Sequence, residues 1–215
     1  MSYEYPNTHT PFNKNFRQAK LNGDVLGFVD DPNTLVREYE LEWINEELEY
    51  PIDVKEIGKI AKNLFNELST KYSINVLPMK FVIGKTRGNK DGIYTISKKI
   101  QGTDIMKLSA KQVQSIDFES KIGALIGSLV RYLKEKKINQ DQYYLDDIVK
   151  FSQFLVSKED GEIYLVDNDP SLMEVAKEED YKDNVEVLIE EIKEIEEKYG
   201  FQFNQYKTEL QELIQ

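Results

Sequence analysis

The chain has 215 residues, 40% of them hydrophobic, which is enough for one sizeable domain or for two small lobes. Its net charge of −11 gives a surface that on average repels the phosphates of nucleic acids and of anionic lipids. The chain has no cysteine and a single histidine, His9, which excludes disulfides, thiolate catalysis, cysteine zinc sites and polyhistidine metal sites. Carboxylate, lysine and hydroxyl chemistry remain.

The first residues, Met-Ser-Tyr-Glu-Tyr-Pro, lack the charged and then apolar pattern of a secretory signal, and no run of about 18 apolar residues follows. We therefore expect a soluble, cytoplasmic protein with no membrane and no nucleic-acid partner. Residues 1–16 are rich in Asn, Thr, Pro and Tyr without a hydrophobic period, which indicates an N-terminal arm.

Two strands are predicted next, at about Val25–Val29 and Leu35–Tyr39, joined by a turn that contains Pro32. A helix follows at residues 53–72, because apolar residues recur there at helical spacing. Asp53 and Glu56 have the spacing of a capping box at its start. Two further strands are predicted within residues 76–84 and 93–97.

From Leu108 onward the hydrophobic pattern is mostly helical. Ser109 and Gln112 have capping-box spacing. A core stripe follows, made of Ile122, Leu125, Ile126, Leu129, Val130 and Leu133. A second stripe runs from Val185 to Ile195 in a helix that Gly200 ends, and a last short helix contains Leu210. The acidic residues 174–197 are interpreted as a solvated helix face.

A β-hairpin is predicted from two short apolar runs, Phe154–Val156 and Ile163–Val166, with a turn that ends in Asp-Gly between them. Antiparallel pairing of these runs would bring Gln153 and Asp167 to the same end of the hairpin. Oxygen atoms of an amide and a carboxylate at one end make a shared metal ion a reasonable hypothesis.

Together these features resemble the protein-kinase-like superfamily, in particular the small bacterial kinase-like proteins that include aminoglycoside-type phosphotransferases and inactive kinases. The resemblance covers about residues 17–199 and implies an α+β fold of two lobes. The first is a strand-rich N-lobe with one long helix at residues 17–100. The second is a mainly helical C-lobe at residues 101–215.

The resemblance also implies the residues of an active site in the C-lobe. Asp147 corresponds to the catalytic aspartate that orients or deprotonates an acceptor hydroxyl. Gln153 and Asp167 correspond to the side chains that hold Mg²⁺, and Asp169 is a second carboxylate for that metal.

Five residues are implied to bind ATP. Gly23 belongs to a reduced form of the glycine-rich turn, and Arg37 stands where the third strand usually offers a phosphate-binding lysine. Glu67, on the long helix, corresponds to the glutamate that pairs with that basic residue. Lys98 and Ile100 belong to the hinge whose backbone groups hold adenine.

Four features depart from the family pattern: Arg37 replaces a lysine, Gln153 replaces an asparagine, Asn168-Asp169-Pro170 stands where Phe-Gly usually follows the metal-binding aspartate, and the usual histidine of the catalytic loop is absent. Two functions therefore stay open. One is an ATP- and magnesium-dependent phosphotransferase acting on a hydroxyl of a protein or a small molecule. The other is a pseudokinase that serves as a protein-interaction module without phosphotransfer. A third interpretation is an α+β domain in which Asp167 and Asp169 merely end a strand.

Overall fold

The computed structural model describes residues 4–5, 10–12, 14–18, 25–46, 52–138, 143–167, 173–175 and 178–214. In these residues the chain is α+β with antiparallel sheets, as the sequence predicts. It divides into two compact units. Unit 1 takes its residues from the ranges 1–63, 77–100 and 168–173, and unit 2 from the ranges 64–76, 101–167 and 174–215.

Unit 1 is built on six strands: β1 Glu4–Tyr5, β2 Phe16–Gln18, β3 Val25–Phe28, β4 Asp31–Glu40, β5 Met79–Lys85 and β6 Asp91–Lys98. They form one antiparallel sheet in the order β1–β2–β3–β4–β6–β5. The four strands that the sequence predicts are confirmed. The turn between β3 and β4 is shorter than predicted, because Phe28 already pairs with Asp31 and Pro32 lies inside β4.

Two helices lie between β4 and β5 in the sequence, α1 Leu41–Glu46 and α2 Val54–Thr70. The predicted start of α2 is confirmed, since the Asp53 carboxylate accepts the backbone N–H of Lys55 at 2.9 Å. Within unit 1, α2 approaches one face of the sheet at Ile83 and Ile93. A β-carbon on Gly58 would lie 3.3 Å from the end of the Ile83 side chain, so glycine permits the close approach.

Aromatic side chains fill the opposite face of the sheet. Its buried cluster consists of Phe16, Leu26, Phe28, Val36 and Tyr94. Phe12 packs against this cluster, with its ring centroid 5.0 Å from that of Tyr94. Part of the segment that the sequence assigns to an arm therefore joins the sheet through β1 and Phe12, because the apolar face offers area to bury.

Unit 2 contains most of the remaining elements: β7 Gly102–Asp104, α3 Ala110–Ser115, α4 Phe118–Ile138, β8 Tyr143–Leu145, β9 Phe154–Ser157, β10 Ile163–Leu165, β11 Met173–Val175, α5 Glu178–Tyr199 and α6 Asn204–Leu213. Short 3-10 helices lie at Ile105–Lys107 and Phe151–Gln153. The strands form a three-stranded sheet, β10–β9–β7, and a pair, β11–β8. The sequence does not predict β7, which pairs with β9.

The helical core of unit 2 follows the predicted stripes. Every member of the α4 stripe is at most 8% exposed, and so are the apolar residues Val185, Leu188, Ile189, Ile192 and Ile195 of α5. Gly200 follows α5 with φ of +77°, a left-handed conformation that glycine adopts without strain. None of the helices in the described ranges is long and apolar enough to cross a membrane.

The predicted capping box before α3 is confirmed and supports a test of stability. The Ser109 hydroxyl accepts the backbone N–H of Gln112, and the Gln112 side chain accepts the N–H of Ser109 at 3.0 Å. Ser109→Ala should lower the free energy of unfolding by about 1 kcal/mol, the usual contribution of such a cap. Urea denaturation measures this change. Ser120→Ala, at an exposed position in α4, should change stability by less than about 0.5 kcal/mol.

Candidate active site

The loop between β8 and β9 is held in the core of unit 2 by its apolar residues. Ile148, Val149 and Phe151 are at most 1% exposed. The side chains of Asp147 and Lys150 remain 37% and 41% exposed. Burial of the apolar residues therefore leaves these two charged groups, together with the exposed Ser152, within reach of solvent and ligands.

Asp147 has an unusual backbone conformation. Its φ is +58°, in the left-handed region that few residues other than Gly, Asn and Asp adopt. The Lys150 backbone N–H donates to the carbonyl of Asp147 at 3.1 Å, which closes a tight turn. The turn brings the Lys150 ammonium to 2.7 Å from Oδ2 of Asp147.

The start of this loop is held by polar contacts. The Asp146 carboxylate accepts the Tyr144 hydroxyl at 3.1 Å and also accepts the side-chain amide of Asn184 on α5. The Tyr132 hydroxyl of α4 accepts the backbone N–H of Leu145 at 2.8 Å. Burial raises the pKa of Tyr132, so its hydroxyl stays neutral. Asp146 is thus a structural anchor, whereas its neighbour Asp147 faces outward.

The end of the loop is held by Glu191 on α5. Oε2 of Glu191 accepts the backbone N–H of Phe151 at 2.9 Å. Burial raises the pKa of the Glu191 carboxyl. In the sequence, Glu191 falls within the acidic residues 174–197, which predict a solvated helix face and no site residue. A detectable signal exists, because Glu191 lies three residues after Leu188 and four before Ile195, on the apolar face.

The predicted hairpin is confirmed, with Leu165 paired to Phe154 and Ile163 paired to Val156. The Val166 backbone N–H donates to the carbonyl of Gln153 at 3.0 Å, so Gln153 and Asp167 do lie at the same end of the hairpin. The side-chain oxygen of Gln153 is buried and has no hydrogen-bond partner within the part of the chain that the structure describes. A buried acceptor of this kind costs about 1–3 kcal/mol if it stays unsatisfied.

A magnesium ion needs oxygen ligands from the protein. Among residues with a described position, no group of three or more carboxylate or imidazole side chains is arranged as a metal site. Magnesium does not require such a group, because one or two carboxylates plus phosphate and water oxygens usually hold it. Asp167 and the unsatisfied oxygen of Gln153 fit this smaller set. Asp169 lies outside the described residues.

Arg37 lies on β4, where it pairs with Val25 and Thr95. Side chains alternate between the faces of a strand, so Arg37 shares a face with Tyr39. Tyr39 pairs with Ile93, which lies near Gly58 of α2. The predicted basic residue of the third strand is therefore on the face that α2 approaches at Gly58.

The other predicted nucleotide-binding residues belong to both units. Glu67 lies in the part of α2 that belongs to unit 2, and its carboxylate contacts Lys71 at 3.3 Å, the Tyr72 hydroxyl at 3.4 Å and Lys136 at 3.4 Å. Lys98 is the last residue of β6, and Ile100 follows in the connection to β7. Gly23 lies outside the described residues.

Lys150 is a second functional candidate that the sequence analysis misses. The signal in the sequence is its position three residues after Asp147, which favours an ion pair only if the backbone turns there.

Comparison of the chain with models of protein families, with curated proteins and with solved structures finds no match.

Proposed function

We propose that the chain is a kinase-like protein that binds ATP with Mg²⁺ and transfers the γ-phosphoryl group to a hydroxyl of a protein or a small molecule. The observation that carries the proposal is the buried, unsatisfied side-chain oxygen of Gln153, a residue whose backbone carbonyl accepts the N–H of Val166, the residue before Asp167. An unsatisfied buried acceptor needs a cation or a donor, and the carboxylate of Asp167, at the same end of the hairpin, is a group that would favour a cation.

The order of elements in unit 1 also supports the proposal. Strands β2, β3 and β4 are followed by the short helix α1, by the long helix α2 and then by strands β5 and β6. The resemblance to kinase-like proteins implies this order, with a basic residue on the third of these strands. Arg37 occupies that strand, and its guanidinium can bind phosphate oxygens in a bidentate manner.

In this proposal Asp147 interacts with the acceptor hydroxyl. Its outward carboxylate would accept a hydrogen bond from the acceptor hydroxyl and take the proton as the oxygen attacks the γ-phosphorus. The new bond joins the acceptor oxygen to phosphorus, the bond from phosphorus to the bridging oxygen breaks, and ADP leaves. The Lys150 ammonium, 2.7 Å from Asp147, would stabilise the negative charge of the group in transfer. Magnesium held at Asp167 and Gln153 would neutralise charge on the phosphates.

A second candidate function is the pseudokinase. The observation that favours it is the set of contacts made by Glu67, whose carboxylate already has Lys71, Tyr72 and Lys136 as partners in unit 2. A glutamate held in this way has less freedom to pair with a phosphate-binding side chain. Under this interpretation the chain would bind a protein partner and would not transfer phosphate.

A thermal-shift titration with ATP, with and without Mg²⁺, tests the proposal. A ligand that binds only the folded state stabilises it by about 2.7 kcal/mol at a concentration 100 times Kd. We expect a rise in Tm with ATP that depends on magnesium. No shift at millimolar ATP would contradict nucleotide binding. A shift without any Mg-dependent turnover of ATP would favour the pseudokinase.

A further inference from the structure

Helix α5 contacts both ends of the loop that carries Asp147. Asn184 contacts Asp146 at the start of the loop, and Glu191 contacts Phe151 at its end. The two helical residues are seven positions apart, which is about two turns, so they lie on one face of α5. The loop is therefore fixed along this face at two points, with Asp147 and Lys150 between them.

Glu191 contacts a backbone N–H, that of Phe151, which has no hydrogen-bond partner within its own helix. Phe151 is the first residue of the 3-10 helix Phe151–Gln153, and the first N–H groups of a helix have no partner inside it. The Glu191 carboxylate accepts this N–H at 2.9 Å. Because Gln153 ends the same helix, the contact also fixes the segment that presents the unsatisfied oxygen.

A carboxylate is a costly choice for this position of α5. The neighbouring apolar positions Leu188, Ile192 and Ile195 are fully buried, and a leucine at position 191 would add apolar contact without taking a charge out of water. Burial accordingly raises the pKa of the Glu191 carboxyl. The carboxylate is therefore explained by what it binds, the Phe151 N–H, and not by the packing of the helix.

We propose that Glu191 is a positioning residue, which through the Phe151 N–H holds the loop so that Asp147, Lys150 and Gln153 are presented together. This inference rests on the proposed phosphotransfer function for its catalytic consequence. The hydrogen bond itself is independent of that function, and the two parts are measured separately.

The first measurement is hydrogen exchange of the Phe151 amide by NMR, in the full chain without ligand. In Glu191→Gln the side-chain oxygen can still accept the N–H, so protection should match the wild type. In Glu191→Leu the acceptor is gone, and the Phe151 amide should exchange about tenfold faster. Unchanged protection of Phe151 in the leucine variant would overturn the proposal. The Leu188 amide reports whether α5 itself remains intact.

The second measurement is Mg-dependent hydrolysis of ATP, in which water takes the place of an acceptor hydroxyl. In Glu191→Leu, kcat should fall about 100-fold while KM for ATP changes little, because geometry and not binding is lost. Glu191→Gln should restore kcat to near the wild-type value. A purely structural role would lower Tm and leave kcat of the folded protein unchanged, and this result would overturn the positioning role.

Glu190→Leu is the matched control. Its side chain is 66% exposed and pairs with Lys193 one turn along α5. It should leave both the Phe151 exchange rate and kcat unchanged. A wild-type chain without Mg-dependent ATP binding would overturn the proposed function and the catalytic part of this inference together. The Phe151 exchange rates would then still decide whether Glu191 holds the loop.

Discussion

Asp147→Asn is expected to lower the rate of phosphoryl transfer by about 10²–10⁴-fold, the usual contribution of a positioned general base. An amide at this position can still contact the acceptor but cannot take its proton. Asparagine also tolerates the left-handed conformation that Asp147 has at φ of +58°, so the loop should keep its shape. Magnesium-dependent ATP binding should remain. Initial rates of Mg-dependent ATP hydrolysis, with binding followed by thermal shift, measure both quantities.

Asp117→Asn provides the control for this variant, because Asp117 also has a positive φ, +50°, and is exposed outside the loop. It should leave the rate unchanged. Loss of the partially exposed ion pair between Asp147 and Lys150 should cost at most about 1 kcal/mol of stability. A rate in Asp147→Asn equal to that of the wild type would show that Asp147 is not the base.

Asp167→Asn is expected to remove the magnesium-dependent part of the stabilisation by ATP. The substitution takes away the negative charge of the carboxylate while keeping the size of the side chain. Magnesium is a hard cation whose protein ligands are mainly carboxylate oxygens, so a neutral amide should hold it poorly. The Tm measured with ATP and Mg²⁺ should then fall to the value measured with ATP alone. The Tm of each variant without ligand gives the baseline for its shift.

Glu159→Gln is the control for this second variant. Glu159 lies in the turn at the other end of the same hairpin and is exposed, so loss of its charge tests for a general effect of net charge. It should keep the magnesium-dependent shift. If Asp167→Asn also keeps that shift, the metal site is wrongly placed and the unsatisfied oxygen of Gln153 needs another explanation.

The hairpin and the helices of unit 2 could be predicted because their signals are local. The two apolar runs around an Asp-Gly turn predict the pairing of Leu165 with Phe154, and this pairing by itself brings Gln153 to the same end as Asp167. The capping box at Ser109 needs only residues three positions apart. In each case one segment of chain contains all the interacting groups.

The N-terminal residues show that the hydrophobic pattern of a short segment does not predict every buried residue. Residues 1–16 have no hydrophobic period, yet Phe12 packs on Phe28 and Tyr94, which are far from it in sequence. A single aromatic residue leaves no periodic signal, and its burial depends on an apolar sheet face formed by other strands. The same reason explains why β7, only three residues long, is not predicted although it pairs with β9.

The sequence by itself determined the α+β class, the helical stripes, the hairpin and the carboxylates available for chemistry, because periodicity, turn chemistry and residue type are properties of short segments. Only the tertiary structure decided which of two adjacent aspartates is an anchor and which faces outward. It also decided that Glu191 of α5 contacts the loop and does not lie on a solvated helix face. These outcomes depend on contacts between residues about 40 positions apart, such as Asp146 with Asn184 and Phe151 with Glu191, which arise only when α5 packs beside the loop.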